Sequence, residues 1–217
     1  MIKAVIFDMD GVLIDSEIIY LNHMYEKLKL KYPQINREAL FAVVGSTTKR
    51  TMEIVSDVIG EDVDSHTFQE LYAGLWADCR PDYPSILRKE VPEILKELHR
   101  RGYQVALASS TSRAGIEDVL TSCGLKDDFD YIVSGEEFKE SKPNPEIYLH
   151  TADTLKREPK ECLVVEDSTY GIMAGYGAGM TVASIIDDRF GFDRSLADYS
   201  INGLWEVLDV LEELNSR

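Results

Sequence analysis

The chain has 217 residues, 44% hydrophobic and 29% charged. That is enough for one large domain, or one carrying a smaller insertion, with a core that needs no disulfides and no long disordered tracts. Its 39 Asp and Glu against 23 Lys and Arg leave a net charge of −16. Such a chain repels nucleic acid and anionic membrane surfaces, and an anionic substrate would need a metal ion or a few well-placed cations.

The first predicted element is a buried strand, Ala4-Val5-Ile6-Phe7, ending at Asp8. The apolar run is too short for a leader or a membrane span, so the expectation is a cytoplasmic protein without a membrane partner. Residues 17 to about 85 then read as successive helices, Glu17–Leu30, Arg37–Val43, Thr48–Ile59 and Ser65–Asp78, with Pro81 and Pro84 in a returning linker. From about residue 90 strands and helices alternate. Helices are expected over Pro92–Arg101, around Ile116, Val119 and Leu120 with Gly124 as stop, over Glu146–Leu155, after Asp167-Ser168, and over Leu204–Leu214. Strands are expected at Val105–Ala108, Tyr131–Val133, Leu163–Val165 and, more weakly, Thr181–Ala183. Consecutive apolar residues suit strands covered on both faces. The pattern predicts an α/β fold: a doubly wound, Rossmann-like parallel sheet formed by residues 1–15 and 86–217, with an all-helical cap inserted at 16–85. No apolar helix face is left over, so a monomer is expected.

Polar residues follow the strands directly: Asp8 and Asp10, Ser109, and Glu166 with Asp167. In an open parallel sheet the carboxyl ends of the strands form the ligand crevice, so distant segments deliver these groups to one edge. Four carboxylates in one crevice repel unless a cation compensates. An oxygen-rich set of this kind suits Mg²⁺, which also neutralises and orients a phosphate. The three cysteines, Cys79, Cys123 and Cys162, have no CxxC spacing, and the histidines form no HExxH, so a disulfide framework or a zinc site is not indicated.

Asp8-Met9-Asp10-Gly11-Val12-Leu13-Ile14-Asp15-Ser16 resembles the first motif of the haloacid dehalogenase superfamily in its phosphatase and phosphomutase form. Ser109 resembles the second motif, Lys142 in Ser-Lys-Pro-Asn-Pro the third, and Glu166-Asp167 the fourth. The resemblance implies a Rossmann-like core with a helical cap after the first motif. It implies that Asp8 attacks phosphorus to form an aspartyl-phosphate and that Asp10 serves first as acid and then as base. Ser109 would hydrogen-bond the phosphoryl group, and Lys142 would balance charge and hold Asp8 ionised. Metal ligation is implied for Asp8, the Asp10 main-chain carbonyl and Asp167, with Glu166 contributing directly or through water. The partner would be a small phosphorylated metabolite, such as a hexose, sugar-alcohol or glycerol phosphate or a mononucleotide.

Candidate substrate contacts are Ser16 and Glu17 at the first hinge, Gly45, Lys49 and Arg50 in the cap, and Ser110 beside the second motif. Each has a simpler alternative. Lys49-Arg50 reads first as a solvated face, and Ser110 and Thr111, either of which could share the phosphate contact of Ser109, read first as the cap of the next helix. Asp8, Asp10-Gly11 and Asp167, taken singly, are a strand end, a turn and a helix cap. The glycines at 171, 175, 177 and 179 lack the GxGxxG pattern of a dinucleotide loop and suit helix packing with a glycine C-cap. The resemblance is closest to the branch of β-phosphoglucomutase and small sugar-phosphate phosphatases. Tyr20 stands where that mutase carries a cap His, and Thr48 where it carries a loop Arg, which favours hydrolysis over the phosphomutase alternative. Asp10 argues against dehalogenation. A lysine acting through a Schiff base stays open, Lys49 or one of Leu28–Lys31. A non-catalytic phosphometabolite-binding protein is disfavoured because every reactive position is retained.

Overall fold

In a computed structural model of the chain, residues 1–46, 48–61, 64–76, 79 and 81–216 are described. The chain divides into two compact units, Met1–Asp15 with Tyr83–Arg217, and Ser16–Asp82.

The larger unit is built on six parallel strands: β1 (Ala4–Phe7), β2 (Gln104–Ser109), β3 (Tyr131–Ser134), β4 (Cys162–Glu166), β5 (Thr181–Ile185) and β6 (Tyr199–Ile201). Their order is β3-β2-β1-β4-β5-β6. The chain winds outward from β1 in one direction and then, starting again at β4, in the other. The carboxyl ends of β1 and β4 therefore flank the point where the winding reverses, the usual ligand crevice of such sheets.

Side chains alternate between the two faces of the sheet. Val5, Phe7, Val105, Leu107, Leu163 and Val165 form one core with Ile94, Leu95 and Leu98 of α5 (Val91–Arg100), Ile116 and Val119 of α6 (Arg113–Cys123) and Val207 and Leu211 of α9 (Glu206–Ser216). Ala4, Ile6, Ala106, Val164 and Val182 form the other with Ile147 and Tyr148 of α7 (Glu146–Thr154) and Ile172 and Ala174 of α8 (Thr169–Gly177). Covering on both faces explains why the strand sequences are apolar at consecutive positions. Gly179, at φ +70°, ends α8 in a Schellman arrangement: its N–H reaches Tyr176 O at 2.9 Å, and that of Met180 reaches Gly175 O at 3.2 Å. This is the glycine C-cap the sequence suggests.

The smaller unit is helical: α1 (Glu17–Lys31), a 3₁₀ segment Glu38–Val43, α2 (Thr48–Ile59) and α3 (Ser65–Trp76). Leu21, Met24 and Leu28 of α1 are buried, as are Leu40, Ile54, Val55, Phe68 and Leu75. His23 Nε2 lies 2.7 Å from Leu75 O, tying α1 to α3. Among the described residues no helix is long and apolar enough to cross a membrane.

Several details differ from the sequence-based expectation. The segment expected as a helix over Arg37–Val43 is a 3₁₀ turn, the form short helical pieces commonly take. Asp78, the expected end of the helix that starts at Ser65, lies outside the described residues. Pro84 sits within a short helix, α4 (Tyr83–Ile86), in the first turn, where a missing N–H costs nothing. β6 has no counterpart in the prediction: Tyr199-Ser200-Ile201 is three residues long and offers no apolar run.

Candidate active site

β1 ends at Phe7, and the next amide, of Asp8, donates to Val165 O at 3.0 Å, so Asp8 is fixed beside the end of β4. The loop that follows folds back on itself. The amides of Leu13 and Ile14 donate to Met9 O at 2.8 and 3.2 Å, and Gly11 N donates to Ile14 O at 2.8 Å. Met9, Val12, Leu13 and Ile14 are buried in the core. Four apolar anchors thus leave Asp8 and Asp10 as the loop's polar projections. Gly11 adopts φ +74°, and an added Cβ would overlap the Asp167 carboxylate, so a side chain there is excluded on both counts. The loop's last residue, Asp15, is held by Arg189, whose Nη2 lies 2.7 Å from Asp15 Oδ1 and 2.6 Å from Asp187 Oδ2.

Lys142 is 6% exposed and gives all three of its protons to fixed acceptors: Asp8 Oδ1 at 2.7 Å, Glu166 Oε1 at 2.8 Å and Ala108 O at 3.0 Å. It thereby joins the ends of β1, β2 and β4. Glu166 is fully buried, with both oxygens engaged. Oε1 accepts from Lys142 and from Tyr148 Oη at 2.9 Å; Oε2 accepts from the amides of Asp167 and Ser168 at 3.0 and 3.1 Å and from Ser168 Oγ at 3.1 Å. Burial disfavours its charge, but Lys142 and these hydrogen bonds outweigh that and hold the carboxyl below the ordinary range. Burial likewise opposes the Lys142 ammonium, and Asp8 and Glu166 prevail, holding it well above the usual lysine range.

Asp8 behaves differently. Burial pushes its carboxyl up to about 8; Lys142 works against the rise, while Glu166 and Asp10 add to it. Lys142 is shared between two carboxylates, so its charge offsets only part of the burial that opposes the Asp8 carboxylate. A further cation would lower the carboxyl. Asp8, Glu166 and Asp167 each offer a carboxylate oxygen within 4.8 Å of the others, all three buried. An all-oxygen, negatively charged donor set of this kind fits Mg²⁺. Since both Glu166 oxygens are committed to protein donors, Asp8 and Asp167 are the better-placed ligands.

Ser109 closes β2, 1% exposed, its Oγ accepting the Thr111 amide at 3.0 Å. Ser110 is exposed, with its Oγ 3.5 Å from Ser141 Oγ. Neither Ser110 nor Thr111 caps the next helix. Ser112 does, accepting from Gly115 N at 3.3 Å. Ser168 rather than Asp167 caps α8, accepting from Gly171 N at 3.1 Å. The structure therefore brings Asp8, Lys142, Glu166 and Asp167 together, with Asp10 on the loop after β1 and Ser109 at the end of β2. The remaining candidates belong to the helical unit. Ser16 precedes α1 and is buried, and Glu17 lies in its first turn. Gly45 has φ +66°. Lys49 and Arg50 are exposed on α2, Arg50 pairing with Glu53 at 2.8 Å.

Two pairings of this constellation have no signal in the sequence. Tyr148 is buried under Lys142, whose Nζ lies 4.8 Å from the ring centroid, and donates to Glu166. Thr111 Oγ1 donates to Asp10 Oδ2 at 2.6 Å. A buried tyrosine needs a partner for its hydroxyl, but spacing alone does not name it.

Sheet order and acidic crevice together define a doubly wound α/β protein whose candidate site lies where the winding reverses. Residues 5–185 match the Haloacid dehalogenase-like hydrolase family, and the chain belongs to it. Over its full length it is 32% identical to the protein named "Putative phosphatase YhcW" of Bacillus subtilis (strain 168), the alignment covering 100% of both chains. It is 25% identical to Pyrophosphatase PpaX of Bacillus cereus (strain B4264), covering 99% of this chain and 98% of that one. Its fold superimposes on the crystal structure of β-phosphoglucomutase (pgmB) from Clostridium difficile with a TM-score of 0.76 at 22% identity, covering 100% and 98% of the two chains.

Proposed function

We propose that the chain is a Mg²⁺-dependent phosphatase that hydrolyses a small phosphomonoester, a sugar phosphate or similar metabolite, through an aspartyl-phosphate on Asp8. The observation that carries this is the buried Lys142, which bridges Asp8 and Glu166 in a cluster of three buried carboxylates completed by Asp167. The names of full-length relatives, a phosphatase and a pyrophosphatase, support phosphoryl chemistry.

In the first step the Asp8 carboxylate attacks phosphorus, the bond from phosphorus to the leaving oxygen breaks, and Asp10 supplies that oxygen with a proton. In the second, Asp10 takes a proton from water, the water oxygen attacks phosphorus, and inorganic phosphate leaves with Asp8 restored. With its oxygen accepting the Thr111 amide, Ser109 directs its proton to a phosphoryl oxygen. Lys142 balances the charge that develops on the transferring group. Asp8 and Asp167, with the Asp10 main-chain carbonyl, would hold Mg²⁺, which supplies charge neutralisation for the phosphate and the cluster. Residues 16–82 would select the substrate, with Ser16, Glu17, Gly45, Lys49, Arg50 and, from the core, Ser110 as candidate contacts. Tyr20 and Thr48, in place of the mutase His and Arg, support hydrolysis.

The test is a phosphate-ester panel with Mg²⁺ that includes β-glucose 1-phosphate primed with glucose 1,6-bisphosphate, following both free phosphate and glucose 6-phosphate. Free phosphate from one ester class, lost in Asp8→Asn and in a chelator, is the expected result. Full turnover by Asp8→Asn would refute the covalent mechanism, and glucose 6-phosphate without phosphate release would make the chain a mutase.

A further inference from the structure

General acid catalysis needs a carboxyl aimed at the leaving oxygen, and Asp10 stands on a loop, half-buried, with two rotatable side-chain bonds. One hold on that carboxyl comes from 101 residues away. Thr111 Oγ1 donates to Asp10 Oδ2 at 2.6 Å. Thr111 is itself restrained at every group. Its amide donates to Ser109 Oγ at 3.0 Å, and its carbonyl accepts from Ser134 Oγ at 2.7 Å. Its methyl lies over Gly115, where an added Cβ would come within 2.7 Å of Thr111 Cγ2. Ser134 is fully buried at the end of β3 and is fixed in turn by accepting Glu136 N at 3.2 Å. Hydroxyls thus run across the edge of the sheet, from β3 through the loop after β2 to the loop after β1.

We infer that Thr111 is a positioning residue for the acid/base step: its hydroxyl grips Asp10 Oδ2, so that Oδ1 is the oxygen turned toward the leaving group. A hydroxyl that donates to one carboxyl oxygen both sets the rotation of the carboxyl plane and keeps the transferable proton on the other oxygen. The bland alternative is that Thr111 merely stitches two loops together. A stitch would matter equally for every substrate, whereas an aimed acid matters only where the leaving group needs a proton. The inference rests on the phosphatase reading above, in which Asp10 is that acid.

The test compares kcat/KM for p-nitrophenyl phosphate, whose leaving group departs without a proton, with phenyl phosphate and glycerol 1-phosphate, whose leaving groups need one. Thr111→Val, which keeps the shape and removes the hydroxyl, is expected to lower kcat/KM about 10- to 100-fold on the latter two, part of the roughly 10²- to 10⁴-fold that acid–base catalysis supplies. On p-nitrophenyl phosphate the loss is expected to stay below about threefold. Thr111→Ser should restore most of the activity, and Thr111→Val should add no further loss in an Asp10→Asn background. Thr111→Ala carries the same comparison if valine disturbs folding. Equal losses on all three esters, or full additivity with Asp10→Asn, would overturn the inference while leaving the phosphatase reading standing. A wild-type protein that cleaves none of them with Mg²⁺ would overturn the phosphatase reading, and this inference with it.

Discussion

Replacing Gly171 by alanine opposes two effects that the structure allows to be weighed. Gly171 lies in the first turn of α8. In an unobstructed helix Ala is favoured over Gly by about 1 kcal/mol, so local propensity predicts a more stable protein. The added Cβ, however, would overlap the Glu166 carboxylate. Glu166 cannot step aside cheaply, because both oxygens are held in a fully buried position by Lys142, Tyr148, Ser168 Oγ and two amides. Breaking a buried ion pair costs about 3–5 kcal/mol. The net expectation for Gly171→Ala is a destabilisation of roughly 2–4 kcal/mol, which for a chain of this size lowers Tm by roughly 4–16 °C. Activity should fall as well, since Glu166 is one of the three acceptors that fix Lys142 against Asp8. Thermal melts followed by circular dichroism, with turnover of p-nitrophenyl phosphate on the folded protein, provide the measurement. Gly175→Ala is the comparator: its Cβ would meet Val182 Cγ2 at 2.8 Å and Val164 Cγ1 at 3.3 Å, away from the carboxylates, so it should perturb packing without reaching Lys142. A Gly171→Ala protein with unchanged or raised Tm and full activity would refute the claim that Glu166 is locked.

Tyr148→Phe removes one donor from the buried Glu166 and keeps the ring beneath Lys142. A loss of about 1.5–3 kcal/mol in urea denaturation is expected for a hydrogen bond to a charged group, and an unchanged midpoint would show that the bond contributes nothing. A pH series without divalent cations tests the Asp8 environment. Because burial raises its folded pKa from 3.8 to about 8, folded Asp8 binds more protons than unfolded Asp8 between those values. The stability this group contributes is thus present below about pH 4 and is lost as pH rises through about 8, by up to about 1.4 kcal/mol per pH unit. Mg²⁺ should therefore raise Tm more at about pH 8 than at about pH 5; an equal increment at both would contradict the placement of the ion beside Asp8.

The strands that carry the candidate site were legible because their sequences, such as Leu163-Val164-Val165, are apolar on consecutive residues and stop at a polar one. That stop marked the carboxyl edge and, with it, Asp8, Ser109 and Glu166-Asp167. β6 was not legible, since an edge strand of three residues carries too little hydrophobic pattern to register. Glu166 was legible as an acidic residue but not as a bonded one. Whether a carboxylate faces a metal or a tyrosine depends on which distant side chains the fold brings to it. Tyr148 lies 18 residues before Glu166, and Thr111 lies 101 after Asp10, so neither pairing leaves a local pattern. The hydroxyl run Ser109-Ser110-Thr111-Ser112 shows the same limit. Its four members differ in role through backbone direction alone, with a cap at Ser112 and a carboxylate partner at Thr111.

The chain leaves the core at Asp15 and rejoins it at Tyr83 as two neighbouring threads. Asp15 N donates to Ile86 O at 2.9 Å, Arg88 N to Leu13 O at 2.9 Å, and Ile14 bridges Leu87 in antiparallel fashion. A segment tethered by such a two-stranded clasp adds to the closure entropy of the chain only as the logarithm of its length, about 0.6 kcal/mol per doubling. The clasp is therefore a natural splice point, at which helices can be lengthened, exchanged or grafted from another protein while the catalytic sheet keeps its own register. Diversification of such a protein can proceed by swapping what lies between the two threads rather than by rebuilding what lies beneath them.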